Sequence, residues 1–383
     1  MVLAGTLTAM PACSGGAAGN STAMTTGTTS ASAPADADAT ALAISATSTG
    51  DDLGTPTPAP TTQDDAGTSP TAEPPPTGAS TATPPAAEPG PPAQPSAPPA
   101  GRNTVGGCTV FPADNYWHAD VSKLPVDPHS AAWLSNMSPA RKLHPDFGPS
   151  GGAVDYGMPI TIVDGSHPKV SVDFYYPDES DHVLYPLGSD TKIEGGADSG
   201  GDMHAIIVDS SSCQLYETFA TTEVNGQWQA GSGATWNLNS NALRPAGWTS
   251  ADAAGLPILP GLLRWSEVQN NTIDHAIRFT TNVTSKYYLW PAMHQAGSTS
   301  SLDFPPMGAR FRLDPAYTAA GLSGYAQESV RAMQTYGLVL ADNGSPWFFQ
   351  GDADPGWPPS LIDELKTIPA SAFVAVDTSS LQR

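Results

Sequence analysis

The sequence predicts a mainly β domain, an antiparallel β-sandwich or jelly roll with a few short helices, preceded by a disordered linker. From residue 104 onward, short segments with alternating apolar side chains are joined by links rich in Gly, Pro, Asn and Ser, which is typical of such folds. Residues 14–103 contain no aromatic side chain. Such a segment cannot bury enough apolar surface to offset the entropy of ordering its backbone. We therefore expect a linker at residues 14–103 and one globular domain at residues 104–383.

The strand predictions rest on the spacing of apolar side chains. In residues 169–176, alternation places Val172 and Phe174 on one face of a strand and Asp173 and Tyr175 on the other. Residues 203–208 are apolar at most successive positions, which predicts a strand covered on both faces. Further strands are predicted at residues 214–219, 275–280, 286–290, 310–313 and 372–376.

Helices are predicted to be few and short. Residues 249–254 predict one or two turns, residues 323–336 the longest helix, with Ser323 as its N-cap, and residues 360–367 a last helix. Before that last helix, residues 338–341 and 347–349 are predicted to form a hairpin around an Asn-Gly turn.

The N-terminus predicts export. In residues 1–13 a short apolar run leads to Cys13, as in a bacterial signal segment followed by a lipid-modified cysteine. An incidental Cys13 stays an alternative, because Pro11 is unusual before a lipidated cysteine. We expect a secreted or lipid-anchored lipoprotein in an extracellular, cell-surface or periplasmic location.

The charge of the chain argues against two classes of partner. The 383 residues include 15 Lys and Arg against 37 Asp and Glu, which gives a formal charge of −22. Nucleic acids and anionic membrane surfaces attract proteins through cationic side chains. We therefore expect no nucleic-acid partner, and membrane association only through a lipid on Cys13.

The two cysteines of the globular region, Cys108 and Cys213, predict one disulfide, because an even number of cysteines in an exported domain favours pairing. A cysteine metal pair is the competing interpretation. Neither cysteine, however, has a second ligand at the usual zinc-site spacing.

The richest chemistry lies in residues 194–204, where four glycines precede Asp202 and His204. These two side chains are expected on one face of a central strand. Tyr216 and Glu217 follow on the neighbouring strand, and parity allows only one of them on that face. We favour Glu217, because a carboxylate can orient an imidazole or share a metal with it.

Three chemistries fit these residue types. A glycoside hydrolase needs two carboxyl groups, for which Asp202, Glu217 and Asp274 are candidates. A polysaccharide lyase would use Tyr216 or His204 with Arg278. The possible ligands of a divalent metal are His204, Glu217, His275 and His294, whose spacing is not diagnostic. The predicted catalytic residues are Asp202, His204, Glu217, Asp274 and His275, and the predicted substrate-binding residues are Tyr175, Tyr216, Arg278, Trp290 and His294.

Four stretches, ATWNLNSNALRP (residues 234–245), LPILPGLLR (256–264), PMGAR (306–310) and YGLVLADNG (336–344), resemble those of a group of exported bacterial β-rich proteins. The resemblance covers the globular region and implies an exported β-rich domain. It assigns no catalytic residue.

Export, a long linker and an aromatic-rich β domain with clustered acids and imidazoles together predict action on an extracellular polysaccharide. We expect a glycoside hydrolase first and a lyase second. The alternative from another class is a noncatalytic glycan-binding or adhesion module. A serine hydrolase is disfavoured, because the sequence lacks a Gly-x-Ser-x-Gly element.

Overall fold

The computed structural model describes residues 103–151, 156–197 and 199–382. The predicted signal region, Cys13 and the predicted linker up to residue 102 lie outside these residues. The mainly β class is confirmed: strands outweigh helices, and they form several sheets. Within the described residues, no helix is long and apolar enough to cross a membrane.

Fifteen strands and four α-helices make up the described part of the chain. The strands are β1 (Thr104–Val105), β2 (Cys108–Thr109), β3 (His144–Asp146), β4 (Ile160–Val163), β5 (Val172–Phe174), β6 (Ala205–Asp209), β7 (Gln214–Phe219), β8 (Thr222–Val224), β9 (Gln227–Ala230), β10 (Ser232–Asn237), β11 (Ile277–Thr281), β12 (Arg310–Leu313), β13 (Leu338–Asn343), β14 (Phe348–Gln350) and β15 (Phe373–Val376). The helices are α1 (Ser130–Asn136), α2 (Trp265–Asn270), α3 (Gly324–Thr335) and α4 (Pro359–Leu365).

The two largest sheets are mixed rather than purely antiparallel. The four-stranded sheet has the order β10-β7-β6-β4, and its β4–β6 pair is parallel. The six-stranded sheet has the order β15-β12-β13-β11-β14-β3, and its β11–β13 and β14–β3 pairs are parallel. Smaller sheets are formed by β5-β9-β8 and β1-β2. The predicted antiparallel pairing holds for pairs such as β6–β7 and β12–β15, whereas three pairs of sequence-distant strands in these two sheets are parallel.

The four-stranded sheet is covered on both faces, as the apolar pattern of β6 predicted. Ile206 and Val208 belong to a large core that also contains Phe279 of β11 and Phe311 of β12. Ala205 and Ile207 instead join a smaller core with Tyr216 of β7 and Trp228 of β9. Side chains that alternate along one strand thus stabilise two different packing layers.

Three local predictions are wrong. Strands β13 and β14 do not form a hairpin, because β11 lies between them and pairs with both. Residues 249–254 form bends and turns rather than a helix, and residues 286–290 make only a single bridge outside the strands. In each case contacts with distant residues override the local pattern.

The longest helix and the disulfide are confirmed. Ser323 caps α3, because its hydroxyl accepts a hydrogen bond from the Ala326 N–H at 3.3 Å. Cys108 in β2 is bonded to Cys213, which lies in the turn between β6 and β7. This covalent link ties the start of the domain to the four-stranded sheet.

Candidate functional site

Titratable side chains gather where the glycine-rich residues 194–204 lead into β6. His204 lies directly before β6 and is 2% exposed. The pairing of Ile206 with Glu217 places His204 and Glu217 on the same face of the sheet, because side chains two residues apart on a strand share a face. Tyr216 therefore points to the opposite face, which agrees with the preference for Glu217 over Tyr216.

His204 is held by a carboxylate that the sequence analysis did not assign. Its Nδ1 lies 2.5 Å from Oε2 of Glu194, and its Nε2 lies 3.1 Å from the carbonyl oxygen of Ala251. Tyr156 donates its hydroxyl to Oε1 of Glu194 at 2.7 Å. These side chains form a continuous chain that begins at the surface, since Tyr156 is 37% exposed.

Charge pairing sets the protonation states of Glu194 and His204. Burial alone would raise the pKa of Glu194, but the charge of His204 and the hydrogen bonds from His204 and Tyr156 lower it to about 2. Burial alone would lower the pKa of His204, but Glu194 raises it to about 9. Near neutral pH the two groups are therefore a carboxylate and an imidazolium. Burial and the nearby carboxylates raise the pKa of Tyr156 well above its usual value, which keeps the phenol protonated.

The six-stranded sheet contributes a second set of charges. Arg278 of β11 is buried, and its Nε and Nη2 donate to the two carboxylate oxygens of Asp252 at 2.9 and 2.6 Å. Asp342 of β13 has its Oδ2 4.0 Å from the same Nη2. Burial and the charge of Asp252 raise the pKa of Asp342 to about 8, although Arg278 acts in the opposite direction.

Asp146 at the end of β3 is half-buried and faces the same charges. Its strand neighbour is Gln350 of β14. Burial raises the pKa of Asp146 to about 6, and the charges of Glu194 and Asp202 add to this effect. Asp202 itself is exposed on the glycine-rich loop. We call the following residues the titratable cluster: Asp146, Tyr156, Glu194, Asp202, His204, Asp252, Arg278 and Asp342.

The backbone of the loop explains how Asp202 reaches this place. Gly195 adopts φ +70°, and a Cβ on it would lie 2.7 Å from Cβ of Ser199. Only glycine accommodates both the positive φ and this close approach. The resulting tight turn lets the chain leave Glu194 and return to His204, whose carbonyl oxygen accepts from the Glu194 N–H at 2.9 Å.

Glu217 shares the face of His204 but has structural partners. It is fully buried, and its carboxylate accepts hydrogen bonds from the N–H groups of Ile258 at 2.9 Å and Leu259 at 2.8 Å. Burial raises its pKa to about 7, although these N–H groups act in the opposite direction. Glu217 therefore fastens residues 258–259 to the sheet and does not face solvent.

Asp274 and His275 lie away from the cluster contacts. His275 is fully buried, with Nε2 3.2 Å from Oε2 of Glu267 and Nδ1 2.7 Å from the Ala276 carbonyl oxygen. Asp274 lies 3.6 Å from Nδ1 of His118 in a separate small cavity. The catalytic roles expected for these two residues do not fit this geometry, because neither of them lines the cluster.

The predicted substrate-binding residues are also dispersed. Arg278 belongs to the cluster but is bound by Asp252, and Tyr216 receives a hydrogen bond from Lys169 at 2.8 Å on the opposite face. The Trp290 ring packs 5.8 Å from that of Tyr116. Tyr175 is 75% exposed, and the ring of His294 lies beside the Ala253 carbonyl oxygen, 2.8 Å from Nδ1.

The expected divalent-metal site does not form. His204, Glu217, His275 and His294 each bind a different partner, so their nitrogen and oxygen atoms do not converge. Across the described residues, no group of three or more His, Cys, Asp or Glu is placed to hold a metal ion.

Five members of the cluster are not among the site residues predicted from the sequence: Asp146, Tyr156, Glu194, Asp252 and Asp342. Glu194 opens the same glycine-rich stretch, which was a usable signal. Asp252 was assigned to a short helix and Asp342 to a hairpin turn, where acids are common.

Comparison of the chain with protein-family models, curated proteins and solved structures finds no match. The function is therefore inferred from the geometry of the cluster.

Proposed function

We propose that this domain is a glycoside hydrolase that acts on an extracellular polysaccharide, with Asp146 as general acid and Asp202 as its partner carboxylate. One observation supports this most strongly. The cluster holds two carboxyl groups in unequal surroundings, Asp146 half-buried at a strand end and Asp202 exposed on a glycine-rich loop. Glycoside hydrolysis needs such a pair, one protonated and one ionised.

Asp146 suits the role of acid. Its burial raises its pKa to about 6, so a useful fraction is protonated near neutral pH. In the reaction, its proton passes to the glycosidic oxygen as the bond to the anomeric carbon breaks. The Asp202 carboxylate stabilises the positive charge that develops on the sugar ring and takes up the proton of the attacking water.

The Tyr156–Glu194–His204 chain positions these groups. Both carboxylate oxygens of Glu194 form hydrogen bonds, one with Tyr156 and one with His204, so Glu194 is not free to act on a substrate. Its hydrogen bond to His204 instead fixes the residue directly before β6, and Asp202 lies two residues before His204. Rigid support of this kind keeps reacting groups in productive geometry.

A lyase is less well supported. That reaction needs a cation that is free to neutralise a uronate. Arg278, however, already donates hydrogen bonds to both carboxylate oxygens of Asp252. Tyr216, the expected base, lies on the opposite face of the sheet from His204. A noncatalytic glycan-binding module stays the alternative, and it predicts binding without turnover.

Action outside the cytoplasm is part of the proposal. The Cys108–Cys213 disulfide is compatible with an oxidising compartment. Secretion and lipid attachment at Cys13 rest on the sequence pattern alone.

The test uses the full chain and a panel of soluble β-glucan, xylan, mannan and pectin, with release of reducing ends as the readout. We expect turnover of at least one polysaccharide, reduced about 10²–10⁴-fold in Asp146→Asn. We also expect a large loss in Asp202→Asn. The matched control is Asp363→Asn, an exposed acid on α4.

The proposal fails if no polysaccharide is cleaved, or if both variants match the control in turnover per folded molecule. Unsaturated products would favour a lyase instead. The pH dependence is a second check: activity should fall as pH rises through about 6, because Asp146 then loses the proton that it must donate.

A further inference from the structure

A cleft of about 440 Å³ lies beside β10 and apart from the residues of the titratable cluster. It is lined by residues 180–183, by the last three residues of β10 and by residues of the segment 240–248. Its volume is in the range of small-ligand sites. We call it the Trp248 cleft, after the half-exposed indole on its wall.

Arg244 makes the wall of the cleft rigid. The guanidinium lies 5.7 Å from the ring centre of Trp236 and 5.6 Å from that of Trp248. It donates to the Thr249 carbonyl oxygen at 2.6 Å and to the Asp181 carboxylate at 2.9 Å. The guanidinium thus restrains both indole rings in the absence of a ligand, which lowers the entropy cost of binding.

The charges of the cleft balance locally. Asp181 accepts from Arg244 and also from the Thr235 N–H at 2.7 Å, so neither charge needs a partner from outside. The exposed polar groups at the rim are His182 and Asn237. A half-exposed indole beside an imidazole and an amide that can hydrogen-bond suits a ligand with an apolar ring face and hydroxyl edges.

Two exposed aromatic rings lie on residues shortly before the lining segment 180–183. Tyr175 and Tyr176 are 75% and 49% exposed, and their ring centres lie 4.8 Å apart. Ser180, which lines the cleft, donates its hydroxyl to the Tyr176 carbonyl oxygen at 2.8 Å. Exposed rings on residues that contact the lining segment fit a chain of sugar units better than a single small molecule.

We propose that the Trp248 cleft is a binding subsite for a neutral oligosaccharide segment of the substrate. This inference rests on the proposed function and adds a substrate class to it. The segment that carries Trp248 continues directly to Ala251, which contacts His204, and to Asp252, which binds Arg278. A sugar chain held at Trp248 is therefore anchored to the same segment that supports the cluster.

Binding of cellohexaose, xylohexaose, mannohexaose and laminarihexaose to the full chain tests the proposal by calorimetric titration. We expect saturable binding of at least one hexasaccharide and a Kd raised about tenfold or more in Trp248→Ala. His182→Ala and Asn237→Ala change exposed rim residues and should weaken binding without affecting folding. Tyr287→Ala, which removes an exposed ring elsewhere on the surface, is the matched control.

The variant Asp146→Asn separates this proposal from the hydrolase proposal. It should bind the hexasaccharide like the wild type, because Asp146 does not line the cleft. Binding without turnover in the wild type would support the cleft and contradict the hydrolase. The cleft proposal is overturned if none of the four probes binds, or if the Trp248, His182 and Asn237 variants bind like the control.

Discussion

At the scale of single residues, the buried ion pair of Glu194 and His204 has a large effect on the stability of the titratable cluster. Both groups are almost fully buried, and breaking such a pair leaves one uncompensated charge. Strand parity allows only Tyr216 or Glu217 on the face of His204, and does not by itself choose Glu217. It could not predict Glu194, because that contact depends on a loop that turns back on itself, and loop geometry is not encoded in hydrophobic spacing.

Glu194→Gln should destabilise the domain by about 3 kcal/mol near pH 5.5, because protonated His204 would lose its partner. The pKa of His204 is raised from 6.5 to about 9, so its stabilising effect is complete below 6.5 and lost as pH rises through 9. The pKa of Glu194 is lowered from 4.5 to about 2, so its effect is lost only as pH falls through that range.

Urea unfolding at several pH values measures this effect. The difference between wild type and Glu194→Gln should be largest near pH 5.5 and shrink toward pH 9. The exposed Glu223→Gln serves as control. A difference that stays constant over this range would contradict the ion pair.

At the scale of elements, the segment 248–259 connects both proposed sites. It contains no α-helix, yet side chains on or next to three strands hold it: His204 at Ala251, Arg278 at Asp252 and Glu217 at residues 258–259. The sequence predicted a helix for part of this segment. A helix satisfies its own backbone, whereas this segment depends on side chains from distant strands, which local propensity does not report.

Glu217→Ala should release the end of this segment. The Ile258 and Leu259 N–H groups would lose their acceptor, at a cost of about 1–3 kcal/mol. Hydrogen exchange at these two amides should accelerate more than the global loss of stability requires. The exposed Glu223→Ala should leave both amides protected, and equal exchange in the two variants would show that Glu217 does not fasten the segment.

At the scale of the whole molecule, the mainly β class, the longest helix and the disulfide could be predicted from sequence. The order of the strands could not be predicted, because the alternation of apolar side chains identifies a strand but does not specify which strand it pairs with. Strands β13 and β14 illustrate the limit, since a strong Asn-Gly turn signal lies between strands that β11 separates. Dispersed acids such as Asp146 and Asp342 become a cluster only through that strand order.

Replacing both cysteines tests the link between the start of the domain and the four-stranded sheet. Cys108→Ser with Cys213→Ser should lower the free energy of unfolding by about 4–5 kcal/mol, because 105 residues separate the two cysteines. Chemical denaturation of the oxidised wild type and the double variant measures the loss. Equal stability would indicate that the noncovalent contacts of β1 and β2 suffice.

The pairing of β3 with β14 joins residues about 200 positions apart, and β15 completes the other edge of the same sheet. Long-range pairings of this kind slow folding, and the six-stranded sheet cannot be completed until β15, residues 373–376, has been synthesised. A ribosome-bound chain therefore stays without its largest sheet for most of its synthesis.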